Sequence, residues 1–155
     1  MTDHQKQVLY RAASFCAYQE RSTKEVRQRL TELELSDQDA QPVIDELMAQ
    51  NYLNEERFAR AFAGGKFRIK KWGRLKIRQE MKLRGVSNDL IQKGLSEIDG
   101  DDYEETLRDL IEKKAHSLRG NEPLILKQKL LRFGLSKGYE SDLIWDAMGG
   151  VLSGE

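Results

Sequence analysis

Cysteine occurs once in these 155 residues, as Cys16, and proline twice, as Pro42 and Pro123. One thiol excludes an intrachain disulfide framework and a cysteine-rich zinc site, and it fits a reducing compartment, so the expected location is the cytoplasm. Aromatic residues make up 8% of the chain, too few for a large central core. Runs of β-branched residues bounded by turn residues are missing, while Leu, Glu, Lys, Arg, Gln and Ala abound, so helix is expected throughout and no sheet of consequence. No apolar stretch approaches the roughly 20 residues needed to span a bilayer. Met1 to Gln7 is polar and lacks the apolar core of a signal peptide, so no membrane association is expected. Net charge is also absent: 26 Lys and Arg balance 26 Asp and Glu.

What is present is a template written three times. It reads Val26, Leu30, Leu33, Leu35, Ser36, then Ile77, Met81, Val86, Ser87, then Leu126, Leu130, Phe133, Leu135, Ser136. Apolar positions four and three apart share one side of a helix, so each copy specifies a short amphipathic helix, a tight turn, and a serine able to cap the next helix. Self-similarity at this period predicts an all-α chain of three tandem three-helix repeats forming an elongated, curved array that presents a long surface rather than one deep cleft. The expected repeats span residues 7–51, 52–99 and 100–151. An array with polar ends is expected to be monomeric.

Within repeat 1 the first helix carries Val8, Ala12, Phe15 and Cys16. Ser22 and Glu25 read as a capping box for the second, and Pro42 places the third helix start near Asp39, with Ala40, Val43, Ile44, Leu47 and Met48 inward. Repeat 2 opens at Asn54 with a helix expected to hold Phe58, Phe62 and Ile69 on one side, and breaks at Trp72-Gly73. A helix with Ile77 and Met81 follows and ends at Gly85, and Ser87 caps a helix with Leu90, Ile91, Leu95 and Ile98 inward. Repeat 3 uses Leu107, Leu110 and Ile111. Its second helix starts at Pro123, buries Leu126, Leu130 and Phe133 and is expected to stop at Gly134. Its last helix, with Leu143, Ile144, Ala147 and Met148, is expected to end near Gly149-Gly150.

The zero net charge hides segregation. From Lys66 to Arg84 nine basic side chains (Lys66, Arg68, Lys70, Lys71, Arg74, Lys76, Arg78, Lys82, Arg84) face one acid, Glu80, whereas Gly85 to Glu112 carries nine acids against Lys93 and Arg108. Such a basic run is too lopsided to neutralise itself, and clustered Lys and Arg bind nucleic-acid phosphates by counterion release. Lys70, Arg74, Arg78 and Lys82 recur every four residues and are expected to form an exposed stripe, with Phe67 and Trp72 as possible stacking partners for unpaired bases. An acidic protein surface suits the same stripe.

Catalytic chemistry finds little support. His4 and His116 lie far apart with no ligand-spaced partner, Cys16 sits on an apolar helical face, and Gly64-Gly65-Lys66 lacks the rest of a phosphate-binding loop. No cofactor, metal or catalytic residue is expected. Gly64-Gly65 inside a helix is read first as a close helix approach, with a kink or flexibility as alternatives.

The segment Tyr52-Leu53-Asn54-Glu55-Glu56-Arg57-Phe58-Ala59, followed by Arg68-Ile69-Lys70-Lys71-Trp72-Gly73-Arg74-Leu75-Lys76-Ile77-Arg78-Gln79-Glu80-Met81-Lys82-Leu83-Arg84-Gly85-Val86, resembles the signature of the RecX family, bacterial regulators of the recombinase RecA. That signature runs Tyr-Leu-Asp-Asp-x-Arg-Phe-Ala, a basic Lys-x-Gly-Pro-x-x-Ile turn, then Glu-Leu-x-x-Lys-Gly-Ile. Arg74 stands in place of its proline, Leu83-Arg84 alter the run before Gly85, and Glu34 occupies the position where repeats two and three are read as glycine. The resemblance implies a non-enzymatic protein that binds RecA filaments on single-stranded DNA, touching the DNA directly or through the filament, and inhibits filament growth, ATPase and strand exchange. Combined with the charge cluster, it nominates Arg57, Lys70, Lys71, Arg74, Lys76, Arg78 and Lys82 for the partner or DNA contact. A stand-alone nucleic-acid-binding protein with helix-turn-helix-like units is the alternative.

Overall fold

Hydroxyl side chains start the helices of the first repeat. Thr2 accepts the Gln5 amide, Ser22 that of Glu25 and Ser36 that of Asp39, so α1 (Asp3–Tyr18), α2 (Thr23–Glu32) and α3 (Asp37–Ala49) each begin with a satisfied orphan donor. Glu25 does not complete the expected capping box; its carboxylate accepts the Ser22 hydroxyl at 3.1 Å. The computed structural model describes residues 1–153, in which α4 (Glu55–Gly65), α5 (Arg74–Leu83), α6 (Asn88–Leu95), α7 (Gly100–Ser117), α8 (Pro123–Lys137) and α9 (Ser141–Leu152) come next. Among the described residues there is no strand, as the composition requires.

The helices form two compact units. The first contains residues up to Phe62 together with Met81–Gly94; the second contains Ala63–Glu80 and residues from Leu95 onward, so the division runs through α4 and α5. In the first unit α1 packs on α2 and α3, and α2 on α3. Val8, Ala12, Cys16, Val26, Leu30, Val43, Ile44 and Leu47 supply the core there. Each buried Leu or Ile contributes roughly 1.5–3 kcal/mol relative to exposure. Burial pushes the Cys16 thiol up, only partly offset by Arg21, which suits a packed side chain rather than a nucleophile. In the second unit α7, α8 and α9 pack pairwise around Leu107, Ile111, Leu130, Ile144 and Met148.

The second helix of each repeat ends in one hydrogen-bond signature, and it fixes the true register of the repeat. Glu34, Gly85 and Gly138 all take positive φ, at 68°, 76° and 96°. The next residue's amide returns to the carbonyl five residues back, Leu35 to Leu30 at 3.0 Å, Val86 to Met81 at 3.1 Å and Tyr139 to Gly134 at 3.1 Å. The third copy of the template is therefore Leu130, Gly134, Gly138, Tyr139, four residues later than the sequence suggested. Gly134 does not stop α8. It lies inside the helix because a Cβ there would meet Ile144 Cδ1 at 2.7 Å, so the glycine permits α8 and α9 to cross closely. Leu135 is consequently exposed, Leu126 and Phe133 are only half-buried, and Ser136 caps nothing.

Other expectations fail for identifiable reasons. α4 runs into a π-helical turn, Lys66–Lys70, whose extra residue rotates the side chains beyond Gly65, so Phe67 turns inward and Ile69 is left 79% exposed. Gly65 has open space around it and Gly64 meets only the Arg68 side chain, so this pair marks a change of helical winding and not a close helix approach. Close approaches occur instead at Gly94, against the Ala59 carbonyl, and between the backbones of Gly73 and Gly138. α9 continues through Gly149-Gly150 to Leu152, α3 starts at Asp37, and Met48 is exposed.

Gly138 combines positive φ with a Cβ position 2.3 Å from the Lys76 Cβ, so Gly138→Ala is expected to cost about 2–4 kcal/mol and lower the thermal midpoint by roughly 5–15 °C. Gly149 lies in a helix with nothing within 4 Å, so Gly149→Ala is expected to be neutral or to stabilise by up to about 1 kcal/mol. Circular dichroism melting curves of the two variants provide the check.

Candidate functional site

The basic segment is built on a helix start that no side chain of its own turn caps. Gly73 precedes α5, and its amide donates to the Lys137 carbonyl at 2.8 Å. The Arg74 amide donates to the Tyr103 hydroxyl at 2.9 Å and the Leu75 amide to the Gly138 carbonyl at 2.9 Å. The α8–α9 corner and α7 therefore satisfy donors that a helix N-terminus leaves open. Upstream, Lys71 adopts the left-handed conformation at φ 58°, and its carbonyl accepts the Tyr139 hydroxyl at 2.9 Å. The turn is pinned on both sides of Trp72.

Tyr103, Arg74 and Glu140 form the polar centre of this arrangement. The Tyr103 hydroxyl donates to one Glu140 oxygen, the Arg74 guanidinium donates to the other at 2.9 Å, and the same guanidinium lies 3.9 Å from the Tyr103 ring centre. Tyr103 and Tyr139 are fully buried, with ring centres 4.9 Å apart, and Phe67 packs on Tyr103 at 5.8 Å. Burial pushes both phenols well above their ordinary pKa of 10, helped at Tyr103 by its hydrogen bond to Glu140 and at Tyr139 by the Glu140 charge.

The nominated residues separate into three groups. Lys70 and Lys71 are exposed on the pinned turn and Arg78 is half-buried on α5; among the described residues none of the three has a carboxylate partner. Lys76 places its ammonium 4.8 Å from the Trp72 ring centre, where Lys66 also lies at 5.0 Å, so the half-buried indole carries two cations on its π system. Arg74 is committed to Glu140 and Tyr103. Arg57 is committed as well, pairing with Glu20 and donating to the Asn51 and Tyr52 carbonyls at 3.0 and 3.2 Å. Lys82 is exposed but, like Arg57, falls in the first unit. The expected stripe of four is thus broken at Arg74, and Phe67, being buried, offers no face to a base. Tyr103, Tyr139 and Glu140 escaped sequence reasoning because their partners lie 29 to 68 residues away, beyond the reach of any local period.

Family models described as the first, second and third three-helix domains of RecX match residues 10–47, 54–95 and 101–148. The chain belongs to the RecX family. A Regulatory protein RecX from Chromobacterium violaceum is 32% identical over 145 residues, covering 94% of this chain and 91% of the relative. Those from Lactobacillus johnsonii and Clostridium perfringens (strain SM101) are 33% and 38% identical, covering 87% and 79% of this chain. The chain spans only 50% and 58% of those two proteins. The crystal structure of RecX from Lactobacillus salivarius superposes with a TM-score of 0.89 at 19% identity, covering 97% of this chain and 98% of that one, so this RecX chain shares its fold. No helix among the described residues is long and apolar enough to cross a membrane.

With both folded-state pKa values above 10, the protonated phenols stabilise this RecX fold fully below pH 10, and that contribution is lost as pH rises through the folded values. Stability should fall above about pH 10 by ~1.4 kcal/mol per pH unit for each tyrosine. Tyr103→Phe is expected to cost about 1–3 kcal/mol at pH 8, because the Arg74 amide and Glu140 lose a buried partner, and to halve the tyrosine share of the alkaline loss. Urea unfolding from pH 8 to 11.5 measures both effects.

Proposed function

We propose that this chain regulates a RecA-type recombinase by binding its filament on single-stranded DNA and inhibiting filament growth, ATPase and strand exchange, without catalysing a reaction of its own. Membership of the RecX family and relatives named as regulatory proteins support the regulatory reading. The observation that carries the contact assignment is the pinned basic turn. Lys70 and Lys71 project from a backbone held by Tyr139, and among the described residues neither they nor Arg78 pair with a carboxylate. A backbone already fixed in place loses little freedom on docking, so more of the cations' attraction to phosphates or to an acidic protein surface appears as affinity. Repeated helical units add to this by effective concentration, each contact raising the local concentration of the next. Action as a monomer in the cytoplasm belongs to the same proposal.

Arg74 is a poor probe of this contact, since reversing it leaves Glu140 facing like charge inside the fold. The clean variant is Lys70→Glu, Lys71→Glu, Arg78→Glu. Three reversed contacts at about 1 kcal/mol or more each should raise the concentration needed to half-inhibit the single-strand-dependent ATPase of the recombinase by at least about 100-fold. Helical circular dichroism and the melting midpoint should be nearly unchanged. Inhibition by the variant at the wild-type concentration discards the assignment.

A further inference from the structure

The first unit carries a second cationic face, made of different chemistry. Tyr10 and Tyr18 on α1 are 78% and 82% exposed, far more than aromatic rings packed for stability. They stand two turns apart, about 12 Å along the helix axis. Together with Arg11, Phe15, Arg21 and Arg29 they line one open concavity whose lining contains no carboxylate. Two of the three arginines are stacked rather than extended into solvent, and Arg11 is exposed. The Arg21 guanidinium lies 3.7 Å from the Phe15 ring centre and 5.9 Å from that of Tyr18, and its Nε donates to the Phe15 carbonyl at 3.0 Å. Arg29 approaches the same Phe15 ring at 5.7 Å and pairs with Glu32 at 3.1 Å at the surface, a weak interaction that a phosphate can replace. Arg11 has no ion-pair partner among the described residues. The nearby Glu20 is already taken by Arg57.

We propose that this concavity of α1 and α2 is a binding site for single-stranded nucleic acid, in which Tyr10 and Tyr18 stack on unpaired bases while Arg11, Arg21 and Arg29 hold the phosphates between them. Exposed rings spaced along a helix accept the π faces of successive unpaired bases of any sequence, and arginine adds both stacking and phosphate contacts. A duplex presents its bases edge-on and cannot use the rings. An acidic peptide would engage the arginines and leave the tyrosines idle. The site lies wholly in the first unit and requires neither a recombinase nor the basic turn.

The test uses the full chain without recombinase. A fluorescein-labelled oligothymidine and a duplex of equal length are titrated by anisotropy, and a 4-thiothymidine oligonucleotide is photocrosslinked and mapped by mass spectrometry. Crosslinks are expected in residues 10–29, and they should persist in the Lys70→Glu, Lys71→Glu, Arg78→Glu variant. Tyr10→Ala with Tyr18→Ala should weaken oligothymidine binding by about 30-fold or more, whereas Tyr10→Phe with Tyr18→Phe should stay within about threefold of wild type. Duplex affinity should change little in either variant. Unaltered oligothymidine binding by the double alanine variant, crosslinks confined to residues 66–84, or binding of an oligoglutamate in place of the oligonucleotide would each overturn the proposal.

Discussion

Everything in the second unit turns on how the start of α5 is satisfied. A helix beginning at Arg74 leaves backbone donors without intrahelical partners, and none of its neighbours is a Ser, Thr, Asp or Asn. Carbonyls of Lys137 and Gly138 and the hydroxyl of Tyr103 fill the vacancy. That arrangement demands backbone contact at Gly73 and Gly138, which excludes a side chain at either, and it demands a phenol that stays protonated so that it can donate to Glu140 while accepting from Arg74. Glu140 immediately precedes α9 and faces the start of α5 through Arg74 and Tyr103, so one carboxylate supplies negative charge where two helix dipoles favour it.

The same constraint shapes the basic turn. Because Tyr139 holds the Lys71 carbonyl and the α8–α9 corner holds Gly73, the chain between them has little conformational freedom to lose when a partner arrives. Trp72 contributes in a second way. With ammonium groups 4.8 and 5.0 Å from its ring centre, the indole stabilises cations that would otherwise repel one another, and being uncharged it does not itself cancel their field. Charge segregation visible in the sequence thereby survives into the fold at Lys70, Lys71 and Arg78, and is consumed internally at Arg74.

Local chemistry was legible in the sequence and remote partnership was not. Ser22, Ser36 and Gly85 announce their helix boundaries because capping and left-handed termination depend on a few neighbouring residues. The third repeat misleads because Leu126, Leu130 and Phe133 imitate the template one turn early. What decides the register is that Gly134 faces Ile144 and Gly138 faces Lys76, contacts that exist only once helices pack. A π-helical turn adds one residue to a winding that periodicity counts at 3.6, so Ile69 and Phe67 exchange faces without any change in composition. Arg57 and Arg74 look like contact residues until Glu20 and Glu140 are brought to them from 37 and 66 residues away.

The two cationic faces differ in residue type, and the difference predicts how each responds to solvent. The basic turn presents mainly lysine, a compact and strongly hydrated charge whose attraction to phosphate is driven by counterion release and fades as salt rises. The α1–α2 concavity presents arginines laid on aromatic rings beside two exposed tyrosines, groups whose stacking with bases persists when charge is screened. If both act as proposed, raising salt strips the lysine contacts first and leaves the stacked ones. Residual affinity at high salt would then report on Tyr10 and Tyr18, and the salt slope on Lys70, Lys71 and Arg78. Lysine in place of Arg21 would keep the charge of the concavity but lose the flat contact on Phe15, so the two faces are not interchangeable even where their charges are equal.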